Sequence, residues 1–448
     1  MTHKLSWKKL LSSKRVPKPS DPLSNSQNER TEFEQDYDRI LFSQPFRRLA
    51  RKTQVHPMAS NDHIHNRLTH SLEVASLGRT FANRAYDLAK NNSDLGEFSK
   101  NDFNLILQSA CLIHDLGNPP FGHAGEEVVR AWIDVHKLEI FKKKIPNAPE
   151  NEESNCRQDC LRFEGNAQGF RLAARSDNSI AGYLRLTYAT LSSAIKYPWL
   201  STDSIVSEKK KHSIYTSESD IFKNISEELG LVNNEGNFIR HPLSFLTEAA
   251  DDICYRILDL EDAVEMGICD KDEIHDLFLK ISKNDNNKSM VLAQLRGQAI
   301  EKLMNEFWKV FENDFETIMN GERIDDLRSS LESSTTEQLD KVKDLYESIF
   351  GHRKKVATEL GAYHVLGRIL NSLFKTIESI DNSSSYEEIH FLSKRCIDLT
   401  WRKDHVESNI DQNYYWWVHQ VMDFISGMTD DYAIRLSGEI GGYSLGMK

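Results

Sequence analysis

FNLILQSACLIHDLGNPPFGHAGEE, residues Phe103–Glu127, is the stretch on which the reading of this chain turns. Its first half, Phe103–Leu116, is apolar-rich and is expected as a helix, ended by Gly117 and then by Asn118-Pro119-Pro120. Near that end stand His114 and Asp115. A His-Asp pair alone is weak evidence, but at the buried end of an apolar helix charged groups need a partner or a metal. Past the prolines and Gly122, Ala124–Trp132 starts another helix, with His123 and Glu126 at its start, where free backbone N–H groups favour an anion.

Working outward, two more amphipathic stretches carry matching chemistry. Upstream, Asn66–Arg79 (NRLTHSLEVASLGR) contains His70; downstream, Thr247–Asp262 (TEAADDICYRILDLED) places Asp251 and Asp252 inside an apolar helix. The order is His, His-Asp, Asp. Two imidazoles and two carboxylates suit a divalent ion such as Mn²⁺, Mg²⁺ or Fe²⁺ better than a closed thiolate zinc site, and four ligands leave positions for water and a substrate oxygen.

The rest of the chain reads as mainly α-helical. All eleven prolines lie within the first 242 of 448 residues, so nearly half the protein lacks the strongest helix breaker. Ala293–Asn313 and Leu360–Lys375 show the helical period, whereas only Lys211–Thr216 (KHSIYT) reads as a short strand or hairpin arm. Residues 1–30, with seven Lys/Arg and three prolines, have the composition of a mobile basic arm. Asp270–Lys288 and Asp325–Gln338 read as polar connections, and Lys137–Asp159 as a charged stretch. The expected organisation is a core over residues 31–270 and a C-terminal helical lobe over 271–448 packed on it.

Net charge is −12, which argues against wholesale coating of nucleic acid without excluding a local basic groove. Six cysteines form no C-x-x-C pair, and a reduced, cytoplasmic protein is the expectation. No apolar run is long enough to span a membrane, and the basic N-terminus lacks the apolar segment of a signal peptide.

Residues 66–79, 114–126 and 247–262 resemble the signature segments of the HD-domain superfamily, and within it those of the deoxynucleoside triphosphate triphosphohydrolases, the dGTPase family. The resemblance extends to Asp36–Val55 (DYDRILFSQPFRRLARKTQV), Phe163–Phe170 (FEGNAQGF), Leu186–Trp199 (LTYATLSSAIKYPW) and Gly427–Ala433 (GMTDDYA). It implies an HD-type helical core and His70, His114, Asp115 and Asp251 as metal ligands, with Asp252 second in line for the fourth place. Mn²⁺ or Mg²⁺ is the expected ion, with Fe²⁺ or Co²⁺ as alternatives. On a helix, Asp251, Tyr255 and Asp259 share one face, so metal and sugar contacts would line one pocket. By resemblance His123 and Glu126 are catalytic, His123 as a proton donor and Glu126 holding and polarising water. Gln54, Tyr255 and Asp259 would read the deoxyribose, and Arg67 and Lys196 the triphosphate.

The implied reaction is metal-dependent hydrolysis of a dNTP, with dGTP among the substrates, to deoxynucleoside and inorganic triphosphate. A homo-oligomer is implied too, and Arg47, Arg48, Arg51 and Lys52 are candidates for a nucleotide effector or single-stranded DNA. Another HD phosphohydrolase, a nucleotidase or phosphodiesterase, and a nucleotide- or DNA-binding regulator are the alternatives.

Overall fold

The computed structural model describes residues 4–17, 29–54, 61, 63–142, 151–175, 184–283, 290–351 and 353–443. Among them the architecture is all-helical, with isolated bridges but no sheet. Three helices frame the centre: Arg67–Asn92, Lys100–Ile113 and Pro242–Glu265. Each starts on a built cap. Asn66 accepts from the Leu68 and Thr69 amides, Ser99 from Asp102, and the His241 ring from Leu243, so backbone donors that a helix start leaves open are satisfied. Gly78 lets the first two helices close together, because a Cβ there would lie 2.6 Å from Cys111 Sγ.

The apolar side chains form two clusters. The larger gathers the three central helices, the N-terminus and the helices Lys271–Ser282 and Leu292–Asn313; the second joins Phe121–Phe163 to the chain from Ala362 to Leu436. Packing therefore divides the chain differently from a boundary at 270. The His123 helix (Gly122–Ile140) turns its apolar face, Val129, Trp132 and Ile133, onto Leu366, Ile369 and Leu373 of the long helix Arg353–Asp381.

Three expectations are corrected. Residues 4–17 are no mobile arm: Leu5, Trp7, Leu10 and Leu11 are buried, the Trp7 ring lies 5.1 Å from Phe103, and the Tyr188 amide donates to the Lys14 carbonyl. Four apolar anchors outweigh the basic composition, each burial contributing about 1.5–3 kcal/mol; residues 18–28 lie outside the described residues. Asp270–Lys288 is not a connection through most of its length but a capped helix, Lys271–Ser282, burying Ile274, Leu277, Phe278 and Ile281; likewise a helix starts at Ser333. Sparse apolar residues at helical spacing suffice. Lys211–Thr216 makes one bridge, Leu200 to Ile214, and no strand. Among the described residues no helix is long and apolar enough to cross a membrane.

Candidate active site

The central helices bring His70, His114, Asp115 and Asp251 to one point. His70 is buried in the second turn of its helix, and its Nε2 lies 3.0 Å from Asp251 Oδ1. His114 caps the next helix; its Nδ1 donates to the Cys111 carbonyl at 2.6 Å. That bond leaves Nε2 aimed at Asp251 Oδ1 (3.4 Å) and Asp115 Oδ2 (3.7 Å), without a hydrogen-bond partner. A ring fixed by its Nδ1–H and offering a buried, unpartnered Nε2 is the arrangement a metal-ligating histidine requires. Donor atoms of His70, His114 and Asp115 all lie within 4.8 Å of one another.

The electrostatics agree. Burial opposes charge on Asp115, yet Arg67, His114 and His70 hold its carboxyl at about 2. Burial likewise opposes charge on Asp251, which His114 and His70 hold well below the ordinary carboxylate range. Burial would lower the His114 imidazole, but Asp115 and Asp251 raise it to about 9. The carboxylates and imidazoles of the cluster thus stabilise one another's charged forms. The donor set fits a divalent ion. Asp252 contrasts with its neighbour: burial pushes its carboxyl up to about 6, and it faces Lys196 and Arg256 rather than the histidines.

The turn after Asp115 sets up a second group. Gly117 packs so tightly on the Gly165–Gly169 segment that a Cβ would sit 2.1 Å from Gly165 O. Phe121 then takes a left-handed conformation (φ 65°) and Gly122 another (φ 59°), opening the helix that carries His123 and Glu126. For phenylalanine that conformation costs about 1–2 kcal/mol. His123 Nδ1 lies 3.0 Å from Glu126 Oε2, and Glu126 Oε1 accepts from the Gly165 amide at 2.8 Å. Burial opposes charge on Glu126, but the His123 bond and Lys211 hold it well below the ordinary range. Both carboxylate oxygens are engaged, one by the His123 ring and one by the Gly165 amide.

A cavity of about 710 Å³ unites these groups. Gln54, Arg67, His114, Asp115, His123, Glu126, Lys196, Asp251 and Tyr255 all line it. The Gln54 Oε1 is buried without a hydrogen-bond partner. Asp259 does not line it; one more turn along the helix, about 6 Å, buries it beyond the wall. Two expected triphosphate contacts have protein partners: Arg67 donates to Asp115 at 2.6 Å, and Lys196 lies 3.0 Å from Glu248.

Of the basic run, Lys52 is buried and donates to the Asn118 and Ser426 carbonyls, and Arg48 donates to Gly427 O, so both are structural ties; Arg47 and Arg51 are exposed. Residues the sequence left unnoticed also line the cavity, among them Asn118, Asn166, Tyr197 and Lys211. Asn166 and Tyr197 lie in the quoted motifs, which was the available signal; Lys211, 2.9 Å from Glu164, had none.

The HD domain family matches residues 67–154, the segment holding both histidines, Asp115 and the His123–Glu126 pair. A deoxyguanosinetriphosphate triphosphohydrolase-like protein of Pseudomonas aeruginosa (strain UCBPP-PA14) is 38% identical over 98% of this chain and 99% of its own length. This chain belongs to the dGTPase family of HD-domain proteins. A family member from Synechocystis, also named triphosphohydrolase-like, is 33% identical over 98% of this chain and 100% of its own. A deoxyguanosinetriphosphate triphosphohydrolase of Enterobacter sp. (strain 638) is 29% identical over 90% and 92%. The family supports a hydrolase, and the HD segment contains the His70–His114–Asp115 group that could hold a metal ion.

Proposed function

We propose that this protein hydrolyses dNTPs, dGTP among them, to deoxynucleoside and inorganic triphosphate, with a divalent ion, Mn²⁺ or Mg²⁺ first, held by His70, His114, Asp115 and Asp251. The observation that carries this reading is that one cavity is lined by His114, Asp115 and Asp251, with His70 buried directly behind Asp251, and by the His123–Glu126 pair. A bound ion would supply charge neutralisation on phosphate oxygens and a more acidic water. The chain's own groups do the rest. Glu126 orients the His123 ring through Nδ1, leaving Nε2 to deliver a proton to the departing 5′-oxygen. Arg67 and Lys196 stand in the wall as cations for a polyanion, and Lys211 joins them. Gln54, with a buried acceptor in need of a donor, suits the sugar hydroxyl, and Tyr255 beneath the ring would crowd a 2′-hydroxyl. Asp259 would act on that sugar contact from behind the wall.

Exposed apolar residues such as Val135, Leu138, Phe391 and Leu392 fit the homo-oligomer that the family resemblance implies, and Arg47 and Arg51 remain the cations for an effector nucleotide or single-stranded DNA in the cytoplasm. The test is incubation with each dNTP and Mn²⁺, products resolved by ³¹P NMR. Triphosphate with deoxynucleoside is expected. Stepwise phosphate release would move the protein to the nucleotidase type of HD phosphohydrolase, and no turnover of single or mixed dNTPs would leave a binding role.

A further inference from the structure

The GMTDDYA segment lies in the C-terminal part of the chain, and neither the metal cluster nor the His123–Glu126 pair uses it. Yet Asp430, the first residue of the helix Asp430–Gly441, is 4% exposed and spends both carboxylate oxygens on the edge of the cavity. Oδ2 accepts from the Thr53 amide at 3.0 Å and from the Thr53 hydroxyl; Oδ1 accepts from the Phe121 amide at 2.9 Å. Thr53 precedes Gln54. Phe121 is the left-handed residue that opens the His123 helix.

We infer that Asp430 is a positioning residue for hydrolysis, a clamp from the C-terminal part that holds the Gln54 segment and the His123 turn in register with each other. The inference rests on the function proposed above. Three features carry it. The carboxylate bridges two segments 68 positions apart in sequence that meet at the cavity wall. One of its acceptors satisfies the amide of a residue held at positive φ, where backbone geometry has to be imposed by its surroundings. The segment that carries it is itself tied back to the core: Arg48 donates to Gly427 O, and Lys52 joins Ser426 O to Asn118 O. A displaced Asp430 would therefore release both the sugar-side segment and the proton donor, while the metal ligands, held by the other helices and, for Asp115, by Arg67 and Asn118, keep their places.

The experiment compares the full-length wild type with Asp430→Asn at equal Mn²⁺ occupancy, measuring kcat and KM for dGTP and hydrogen exchange at residues 53 and 121. The amide side chain keeps the shape but has one acceptor for two sets of donors. A 10–100-fold fall in kcat is expected, as for loss of other orienting hydrogen bonds, with bound Mn²⁺ unchanged and exchange at the two amides raised. In a His123→Ala background the same substitution should change kcat by less than about two-fold, because its target is already gone. Wild-type kcat in Asp430→Asn, a loss that tracks bound metal, or full multiplication of the two effects would overturn the inference. If Asp430→Asn fails to fold, Thr53→Val cuts one of the three bonds; a raised KM with the His123 turn still protected from exchange is expected, and wild-type kinetics would overturn the clamp. A wild type without turnover defeats the hydrolysis reading, whereas unaltered exchange at both amides defeats the clamp alone.

Discussion

Two groups of histidine and aspartate, one beside the cavity and one around Asp159, behave in opposite ways. In the His70–His114–Asp115–Asp251 cluster, carboxyls are held low and the His114 imidazole is raised to about 9. Around Asp159 the order is reversed. Burial pushes its carboxyl up to about 7 against hydrogen bonds from Ser201 and Thr216, and burial with Arg171 lowers His419, 3.6 Å away, to about 3. The carboxylates of the first group are ionised and border a large cavity; in the second the His419 ring is held neutral and both side chains are packed. Residue type did not make the difference. In the first group the imidazoles, with Arg67, stabilise the carboxylates against burial; at Asp159 burial and the nearby Glu218 outweigh the hydroxyl and amide donors, and no cationic imidazole compensates.

Substitutions should separate the two groups sharply, and the largest effect belongs to the first. His114→Ala or Asp251→Ala should abolish both turnover and bound Mn²⁺, read by metal analysis of the folded variant; retained metal with retained turnover would remove these residues from the ligand set. Next, His123→Ala should lower kcat about 10²–10⁴-fold, the range for loss of a general acid, while metal content stays at the wild-type value. Full activity in that variant would take the proton-donor role away from His123.

The second group should respond through stability alone. Asp159→Ala strands the Ser201 and Thr216 donors and should cost about 1–3 kcal/mol in denaturant unfolding, with kcat per folded molecule unchanged. A large drop in kcat would show that the group is not merely structural. The smallest effect is in pH dependence. The folded value of His419 lies below its unfolded value near 6.5, so the unfolded state binds the extra proton and stability drains as pH falls from 6.5 toward 3. In His419→Gln the loss between pH 6 and 5 should be shallower by about 1 kcal/mol per pH unit. Parallel stability curves for the two proteins would contradict the neutral, buried state of this ring.

Legibility from sequence followed the range of the interactions. Helix content, the existence of the His70, His114 and Asp251 helices and the break after the second of them were readable, because period and the Gly117–Pro120 break act within a few residues, whereas the first helix runs on to Asn92 and the third starts at Pro242. The N-terminus was misread because Leu5, Trp7, Leu10 and Leu11 gain burial only against segments distant in the chain, Trp7 on Phe103 and Leu5 beside Met319. Asp259 shares a helical face with Asp251, yet face is not depth, and only the surrounding walls decide which turn meets the cavity. Lys211 carried no local signal at all, since it acts through Glu164 and Glu126.

The sequence by itself determined the helical class and the residues able to bind a metal, for these depend on composition, spacing and donor chemistry. Tertiary structure alone decided which of the buried His and Asp residues stay charged, that Glu126 faces His123, and that Asp430 reaches across to Thr53 and Phe121. Those outcomes depend on distances between segments far apart in the chain, and on the field and burial that the assembled walls impose.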